Sequence, residues 1–258
     1  MTGLEQWYAF RGLAFKEVRR VFRIWMQTIL PSTVTITLYF LIFGCVVGSH
    51  IGLVEGYPYM IYITPGLIMM PILTNAYSNV VSSFYLARFN RSIEEILVSP
   101  MPNWIMILGF CSGGAVRGLT NGVIVTIVGA MMAGVHVVHP LWVLLLIVLS
   151  SLLFSLLGLL NGIFARKFDD LSLVPTFILT PLIYLGGVFY SVQSLPPFWR
   201  DVSLINPIHY IISAFRYAML GVGGTKIFEV SLLVVIFITI AAWTFSHYLL
   251  SRGVRIKT

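Results

Sequence analysis

Six long apolar stretches constrain this chain more than any other feature of its sequence. Each is about as long as the 20 residues that a helix needs to cross roughly 30 Å of hydrocarbon. Charged residues make up 10% of the chain, whereas about 25% is typical of soluble domains. The sequence therefore predicts an all-α polytopic membrane protein with a single membrane domain over residues 28–258. The six predicted spans are residues 28–47, 60–86, 118–135, 141–164, 171–190 and 228–250.

The basic residues lie mainly on one side of these spans. Twelve fall in the N-terminal segment, in the connections after the second and fourth spans, and in the C-terminal tail. Only Arg200, Arg216 and Lys226 fall on the other side, in the connection before the sixth span. Because Lys and Arg concentrate in cytoplasmic connections, both termini are predicted to be cytoplasmic. The third helix is expected to project into the cytoplasm, which leaves Arg117 at the inner interface.

Residues 1–27 predict an amphipathic helix that lies in the cytoplasmic headgroup layer. A basic helix with Trp on its apolar side is typical of such interfacial segments. The alternative is a soluble helix packed on another protein. On a helical wheel the apolar face carries Trp7, Phe10, Ala14, Val18, Val21 and Trp25, and the opposite face carries Lys16, Arg19, Arg20 and Arg23.

The connection over residues 88–100 reads RFNRSIEEILVSP and predicts a short two-faced helix. Ser92 and Glu95 have the spacing of a capping box, and Pro100 and Pro102 would end the helix. We interpret this helix as a docking element for a soluble partner; the alternative is an ordinary loop helix on the membrane surface. The apolar face would carry Ile93, Ile96 and Leu97, and the charged face Arg91, Glu94 and Glu95.

The connection over residues 191–227 is long and mostly apolar. Residues 210–220 are apolar but too short to cross a bilayer. Non-helical backbone at membrane depth is tolerated only where protein or water covers it. We therefore expect two short re-entrant helices in the outer leaflet, with a structured external cap as the alternative.

Small and polar residues within the spans predict close helix packing. The third helix has GxxxG spacings, which allow backbones to approach closely, but the pattern does not say whether within one subunit or between two. No acidic residue lies near the centre of a span, which counts against an ion-coupled carrier. The small residues are Gly109, Gly113, Gly114, Gly118 and Gly122, and the polar ones are Asn75, Asn79, Asn121 and Asn161.

No motif in the sequence predicts catalysis, a metal site or a bound cofactor. Cys45 and Cys111 each lie in an apolar run without a CxxC pattern, so neither a disulfide nor a metal site is expected. The run GVGGTK at 221–226 lacks the spacing of a phosphate-binding loop. The chain is therefore not expected to be an enzyme or to hydrolyse a nucleotide.

Several passages together resemble the permease subunits of type-2 ABC exporters over essentially the whole chain. They are IEEILVSP at 93–100, Arg117-Gly118-Leu119, the run from 168 to 199, Asn206-Pro207 and Phe215-Arg216. The resemblance is closest to small bacterial subunits that are encoded apart from their ATPase. It implies an inner-membrane protein that pairs with a second copy of itself and with two ATPase subunits, which bind ATP and Mg²⁺.

The resemblance also implies roles for particular residues. Amphiphilic, lipid-like or saccharide cargo would pass between the two permease subunits, and no nucleic acid is expected as a partner. Two other functions stay open: an ATP-independent channel or secondary carrier, and a membrane scaffold that recruits a soluble partner. The implied coupling residues are Arg91, Ser92, Ile93, Glu94, Glu95, Ile96 and Leu97, and the implied path residues are Asn75, Asn79, Thr176, Thr180 and Tyr184.

Overall fold

The computed structural model describes residues 2–253, except for the side chains of Cys45 and Ser49. Over this range the chain is all-α, as predicted, apart from one small hairpin. The α-helices are α1 (Gly3–Arg23), α2 (Trp25–Tyr39), α3 (Gly48–Ile51), α4 (Tyr59–Phe89), α5 (Ser92–Val98), α6 (Asn103–Ala133), α7 (Pro140–Phe164), α8 (Asp170–Val174), α9 (Thr180–Leu185), α10 (Pro197–Ile205), α11 (Pro207–Leu220) and α12 (Gly224–Ser251).

Irregular helical segments complete several of these elements. A π-helical stretch, Phe40–Val47, joins α2 to α3, and a second one, Pro175–Leu179, joins α8 to α9. A 3₁₀ turn, Val192–Ser194, precedes α10. Arg255 and Lys257, two of the basic residues counted in the C-terminal tail, lie outside the described residues.

The hairpin before α4 was not predicted. Strand β1 (Leu53–Val54) pairs antiparallel with β2 (Tyr57–Pro58). The two turn residues, Glu55 and Gly56, have φ values of 51° and 84°. Positive φ at both positions is what a two-residue hairpin turn of type I′ requires.

Five helices among residues 2–253 are long and apolar enough to cross a membrane. They are Trp25–Gly44, Tyr59–Phe89, Asn103–Ala133, Pro140–Phe164 and Gly224–Ser251, and they correspond to the predicted spans one to four and six. The third extends back to Asn103, as expected from its apolar pattern.

The remaining predicted span, residues 171–190, is helical only over Asp170–Leu185. Pro175 and Pro181 have no N–H to donate, so the regular hydrogen-bond ladder is interrupted. The Pro175 carbonyl accepts from the Thr180 N–H and, at 2.9 Å, from the Thr180 hydroxyl. The chain then turns at Gly187, whose φ is 85°. A count of six spans therefore stays a prediction.

Helix α4 is the centre of the molecule and packs against α6, α7 and α11. Its 31 residues form one continuous helix even though Pro65 and Pro71 lie within it. Tyr62, Tyr77 and Phe84 are each less than 2% exposed. The outer helices instead leave large apolar side chains uncovered, as expected of surfaces that face lipid.

The glycines of α6 pack within the chain, which answers the question that their spacing left open. A Cβ at Gly114 would lie 2.8 Å from the Ala76 carbonyl of α4, and Gly109 faces Leu13 of α1. On α7, a Cβ at Gly158 would lie 2.5 Å from the carbonyl oxygen of Tyr77. The close approach of α4, α6 and α7 therefore depends on glycines, which have no side chain.

Helix α1 packs against α6 and has three faces rather than two. Leu13, Glu17 and Val21 are buried against protein, so the prediction that Val21 faces the membrane was wrong. Trp7 remains exposed, and Leu4, Phe15 and Phe22 are exposed on a separate apolar face. Trp25, which the wheel placed on α1, begins α2 because α1 ends at Arg23.

Candidate functional site

Helix α5 connects α4 to α6, the two 31-residue helices. The turn into α5 is made by Arg91, whose φ of 58° is left-handed. The predicted helix exists, but the predicted capping box was wrong. Arg91 occupies the N-cap position without a side-chain hydrogen bond, and the Ser92 hydroxyl donates to the Ala87 carbonyl at 3.2 Å. Ser92 therefore fastens α5 to the end of α4.

The apolar face of α5 points into the core of the protein. Ile93 is 3% exposed, and Ile96 and Leu97 pack against the same core. These three side chains were expected to supply contact area to a partner, and in this structure Ile93 cannot do so. The exposed apolar side chains here are Phe89 and Val98, at 72% and 88% exposure.

The charged residues of α5 remain on the surface. Arg91, Glu94 and Glu95 are all exposed, as the sequence suggested. The exposed surface at this end of the molecule thus combines two carboxylates with the two flanking apolar side chains. We call Phe89, Arg91, Glu94, Glu95 and Val98 the α5 surface.

Arg88 lies beside the α5 surface and was missed as a structural residue. Its Nη1 donates to the carbonyls of Gly162 and Ile163 at 2.8 Å, and to that of Ala165 at 3.2 Å. The last carbonyls of a helix have no partners within the helix, so Arg88 caps α7 from α4. The sequence signal was only a basic residue at a helix end, with no indication of its partner.

The connection between α7 and α8 is also capped by a charged side chain. The Asp170 carboxylate accepts from the backbone N–H groups of Arg166 at 2.7 Å and Lys167 at 3.0 Å. This fixes the start of α8 at the same end of the molecule as α5.

Of the residues implied to line a path, Asn79 is fully enclosed. Arg20 Nη2 donates to the Asn79 backbone oxygen at 2.8 Å and to its Oδ1 at 3.0 Å. Glu17, 1% exposed, lies 3.4 Å from the same Arg20 atom and accepts from the Ser83 hydroxyl at 2.6 Å. Asn79 therefore belongs to an interface between α1 and α4 and lines no path in this conformation.

This polar group, which we call the Glu17 cluster, was missed by the sequence analysis. It comprises Glu17, Arg20, Asn79 and Ser83. Only carboxylates within the spans were considered, and Glu17 comes from the N-terminal helix. Its position, four residues from Leu13 and four from Val21, was the available signal. Arg20, assigned to the solvated face, turns inward to pair with it.

The other implied path residues fall into two groups. Asn75 is half-buried and donates to the Ser32 hydroxyl of α2 at 3.0 Å. Thr176 and Tyr184 are exposed and Thr180 is half-buried. Thr176 lies in the π-helical segment before α9, and Thr180 and Tyr184 lie one turn apart on α9. The Tyr184 ring lies 5.8 Å from the ring of Phe189, which also contacts the π-helical end of α2.

The region over residues 191–227 is fixed by polar contacts to neighbouring elements. Asn206 Nδ2 donates to the Leu182 carbonyl at 2.6 Å, and its Oδ1 accepts from the N–H of Ile208. Arg216 is buried, donates to the Gly187 carbonyl at 2.7 Å and lies 4.1 Å above the Tyr62 ring. The motifs Asn206-Pro207 and Phe215-Arg216 thus hold α11 against α4 and α9.

No group of three or more His, Cys, Asp or Glu within residues 2–253 is arranged to hold a metal ion. The fold instead defines a membrane protein of long apolar helices, whose charged residues concentrate at helix ends. Its sequence matches the family model described as ABC-2 type transporter over residues 8–220. The chain belongs to this family, as its resemblance to type-2 exporters predicted.

Individual relatives agree with this assignment. The chain is 50% identical over 247 residues to the inner membrane transport permease YadH of Escherichia coli (strain K12), covering 96% of each chain. It is 24% identical over 208 residues to nodulation protein J of Rhizobium leguminosarum bv. viciae, covering 79% of this chain and 80% of the relative. The chain is a membrane subunit and not itself an enzyme, and its family implies an ATPase partner.

Proposed function

We propose that this chain is the permease subunit of an ATP-driven exporter in a bacterial inner membrane. It would work as a pair with two ATPase subunits, which bind ATP and Mg²⁺. The name of its relative, an inner membrane transport permease, supports the location. The observation that carries the coupling mechanism is the α5 surface, an exposed charged and apolar patch on a helix fastened to the core.

The lengths of the flanking helices support a position outside the membrane for α5. A helix of 31 residues is about 46 Å long at 1.5 Å per residue. This exceeds the roughly 30 Å of hydrocarbon, so one end of α4 and α6 must project. Because Ile93 is buried in the core, a force applied to α5 would be transmitted to α4 and α6.

The proposal includes six spans, an interfacial α1 and cytoplasmic termini. The sixth span would be the shorter apolar helix Asp170–Leu185, and α10 and α11 would enter the outer leaflet and return. The three faces of α1 fit a helix that contacts α6, lipid and water at once, so residues 1–27 would form an interfacial element beside the membrane domain. The surplus of basic residues at the α5 end supports a cytoplasmic position there.

Charge reversal on the α5 surface tests the coupling. Glu94→Arg combined with Glu95→Arg should leave folding nearly unchanged, because exposed substitutions usually alter stability by less than about 0.5 kcal/mol. Charges at an interface set its register and exclude mismatched surfaces. Permease-dependent stimulation of the reconstituted ATPase should therefore fall at least about tenfold, equivalent to about 1.4 kcal/mol.

The matched control reverses the charge of two exposed carboxylates at the end of the molecule opposite α5, Asp201→Arg with Glu229→Arg. This variant should stimulate the ATPase normally. Labelling of Glu94→Cys by an impermeant thiol reagent in inverted vesicles, but not in intact cells, would establish that α5 is cytoplasmic. Normal ATPase stimulation by the Glu94 and Glu95 double variant, at normal abundance, would show that α5 is not the transmission element.

A further inference from the structure

A cavity of about 380 Å³ lies at the end of α4 opposite α5. Tyr62 lines it, and 27 residues of helix separate Tyr62 from Phe89, so the cavity lies about 40 Å from the α5 surface. Its walls come from the β1–β2 turn, the 3₁₀ turn, α10, α11 and the start of α12. None of the residues implied for coupling or for the transport path lines it.

All the Lys and Arg residues of the segment 191–227 line the cavity. Arg200, Arg216 and Lys226 are the only Lys or Arg residues within 191–227, and all three line the cavity although they come from three different helices. Glu55 is the only carboxylate in its lining. The cavity therefore carries an excess of positive charge.

Two of these cations are available to a ligand. Arg200 and Lys226 are exposed, and neither forms a salt bridge with any residue of the 2–253 range. Arg216 is held in the wall by the Gly187 carbonyl and the Tyr62 ring. Glu55 Oε1 accepts hydrogen bonds from Ser191 and Tyr62, which hold this carboxylate against the wall of the cavity.

The cavity also has an apolar side. Leu204, Val222, Ile227 and Val230 contribute to its lining, and Ile205, next to Leu204, is 83% exposed. A volume of 380 Å³ lies near the lower end of the roughly 300–1,000 Å³ of small-molecule sites. It would admit a head group, whose hydrocarbon chains could follow the exposed apolar side chains outward.

We propose that this cavity binds the phosphate-bearing head group of an anionic amphiphile. Arg200 would pair with the phosphate oxygens, for which guanidinium geometry is suited, and Lys226 would add a second charge. The site is distinct from the ATPase-coupling surface. The position of this cavity in the outer leaflet rests on the proposed function. Binding of the head group needs neither ATP nor a partner.

Lipid titration of the purified chain, followed by native mass spectrometry, tests the proposal. Phosphatidylglycerol should bind at least about tenfold more tightly than phosphatidylcholine, and glycerol phosphate without acyl chains should bind weakly. Arg200→Gln with Lys226→Gln should remove this preference. Glu55→Gln should strengthen binding of phosphatidylglycerol, because it removes the only negative charge of the lining while keeping an oxygen acceptor.

The matched control neutralises two exposed cations of α1, Lys16→Gln with Arg19→Gln, and should retain the preference for phosphatidylglycerol. Equal binding of the two lipids would overturn the proposal, as would equal losses in the cavity and α1 double variants. Glycerol phosphate binding as tightly as phosphatidylglycerol would overturn the assignment to an amphiphile. Because ATPase is absent, failure here is distinguishable from failure of the proposed transport function.

Discussion

Single charged side chains join neighbouring helices of this apolar protein. Arg88 of α4 bonds three carbonyls at the end of α7, and Arg216 of α11 bonds a carbonyl of the turn after α9. Glu17 and Arg20 do the same between α1 and α4. Each contact satisfies backbone or side-chain groups that would otherwise be buried without a partner, which is costly.

We predict that Arg88→Ala destabilises the permease by about 2–3 kcal/mol, because hydrogen bonds from a charged donor contribute about 1.5–3 kcal/mol each and this side chain is partly exposed. Thermal unfolding of the purified protein in detergent would measure the change. Arg91→Ala is the matched control: Arg91 is an exposed arginine nearby. Equal melting temperatures for the two variants would contradict the capping role.

Such residue-scale contacts could not be predicted from the sequence. Arg88 was counted among the basic residues of the connection after the second span, but its partners lie 74 to 77 residues further along the chain. Asn79 was assigned to a path only because the resemblance to type-2 exporters implied that role. It instead satisfies Arg20, and the pattern of one helix does not reveal which neighbouring helix supplies a partner.

At the scale of elements, backbone proximity among α4, α6 and α7 determines the packing of the core. Gly158 lets α7 approach the Tyr77 carbonyl of α4, and Gly114 lets α6 approach the Ala76 carbonyl. Carbonyl oxygens in a helix cannot rotate away from an added methyl group. These glycines therefore set the distances between the three helices.

Gly158→Ala should accordingly reduce stability by about 1–3 kcal/mol, the usual cost of overpacking a well-packed core. Gly12→Ala on α1 is the contrasting variant, since nothing lies within 4 Å of its added Cβ, and it should stabilise the helix by about 0.5–1 kcal/mol. Melting temperatures that shift in opposite directions would support the packing argument. A neutral effect of Gly158→Ala would refute it.

The elements themselves were largely predictable because a hydrophobic run of about 20 residues has few alternatives in a membrane. Five predicted spans correspond to long apolar helices. The run over residues 171–190 was equally apolar, but Pro175 and Pro181 interrupt its hydrogen bonding. Hydropathy measures transfer to lipid and is insensitive to a missing N–H, so it predicts a span here without showing where the regular helix within it is interrupted.

At the scale of the whole molecule, one face combines exposed polar and apolar side chains. Thr176 and Phe177 are both exposed, Phe177 at 71%, and Thr180 is half-buried. Threonine hydroxyls gain less from lipid than from a protein or aqueous partner. This face is therefore the proposed contact with a second copy, around a path for cargo.

A cysteine at Thr176 tests that arrangement, because a residue near a twofold axis meets its own copy. In a background without Cys45 and Cys111, oxidation of Thr176→Cys in native membranes should give a covalent species of twice 28.9 kDa. Leu233→Cys, on an exposed site of α12 at 66%, is the control for random collision and should remain monomeric. If neither Thr176→Cys nor Thr180→Cys crosslinks while the permease still transports, this face is not at the axis. Crosslinking of Leu233→Cys to the same extent would equally reject it, since lateral encounter rather than a defined dimer would explain the result.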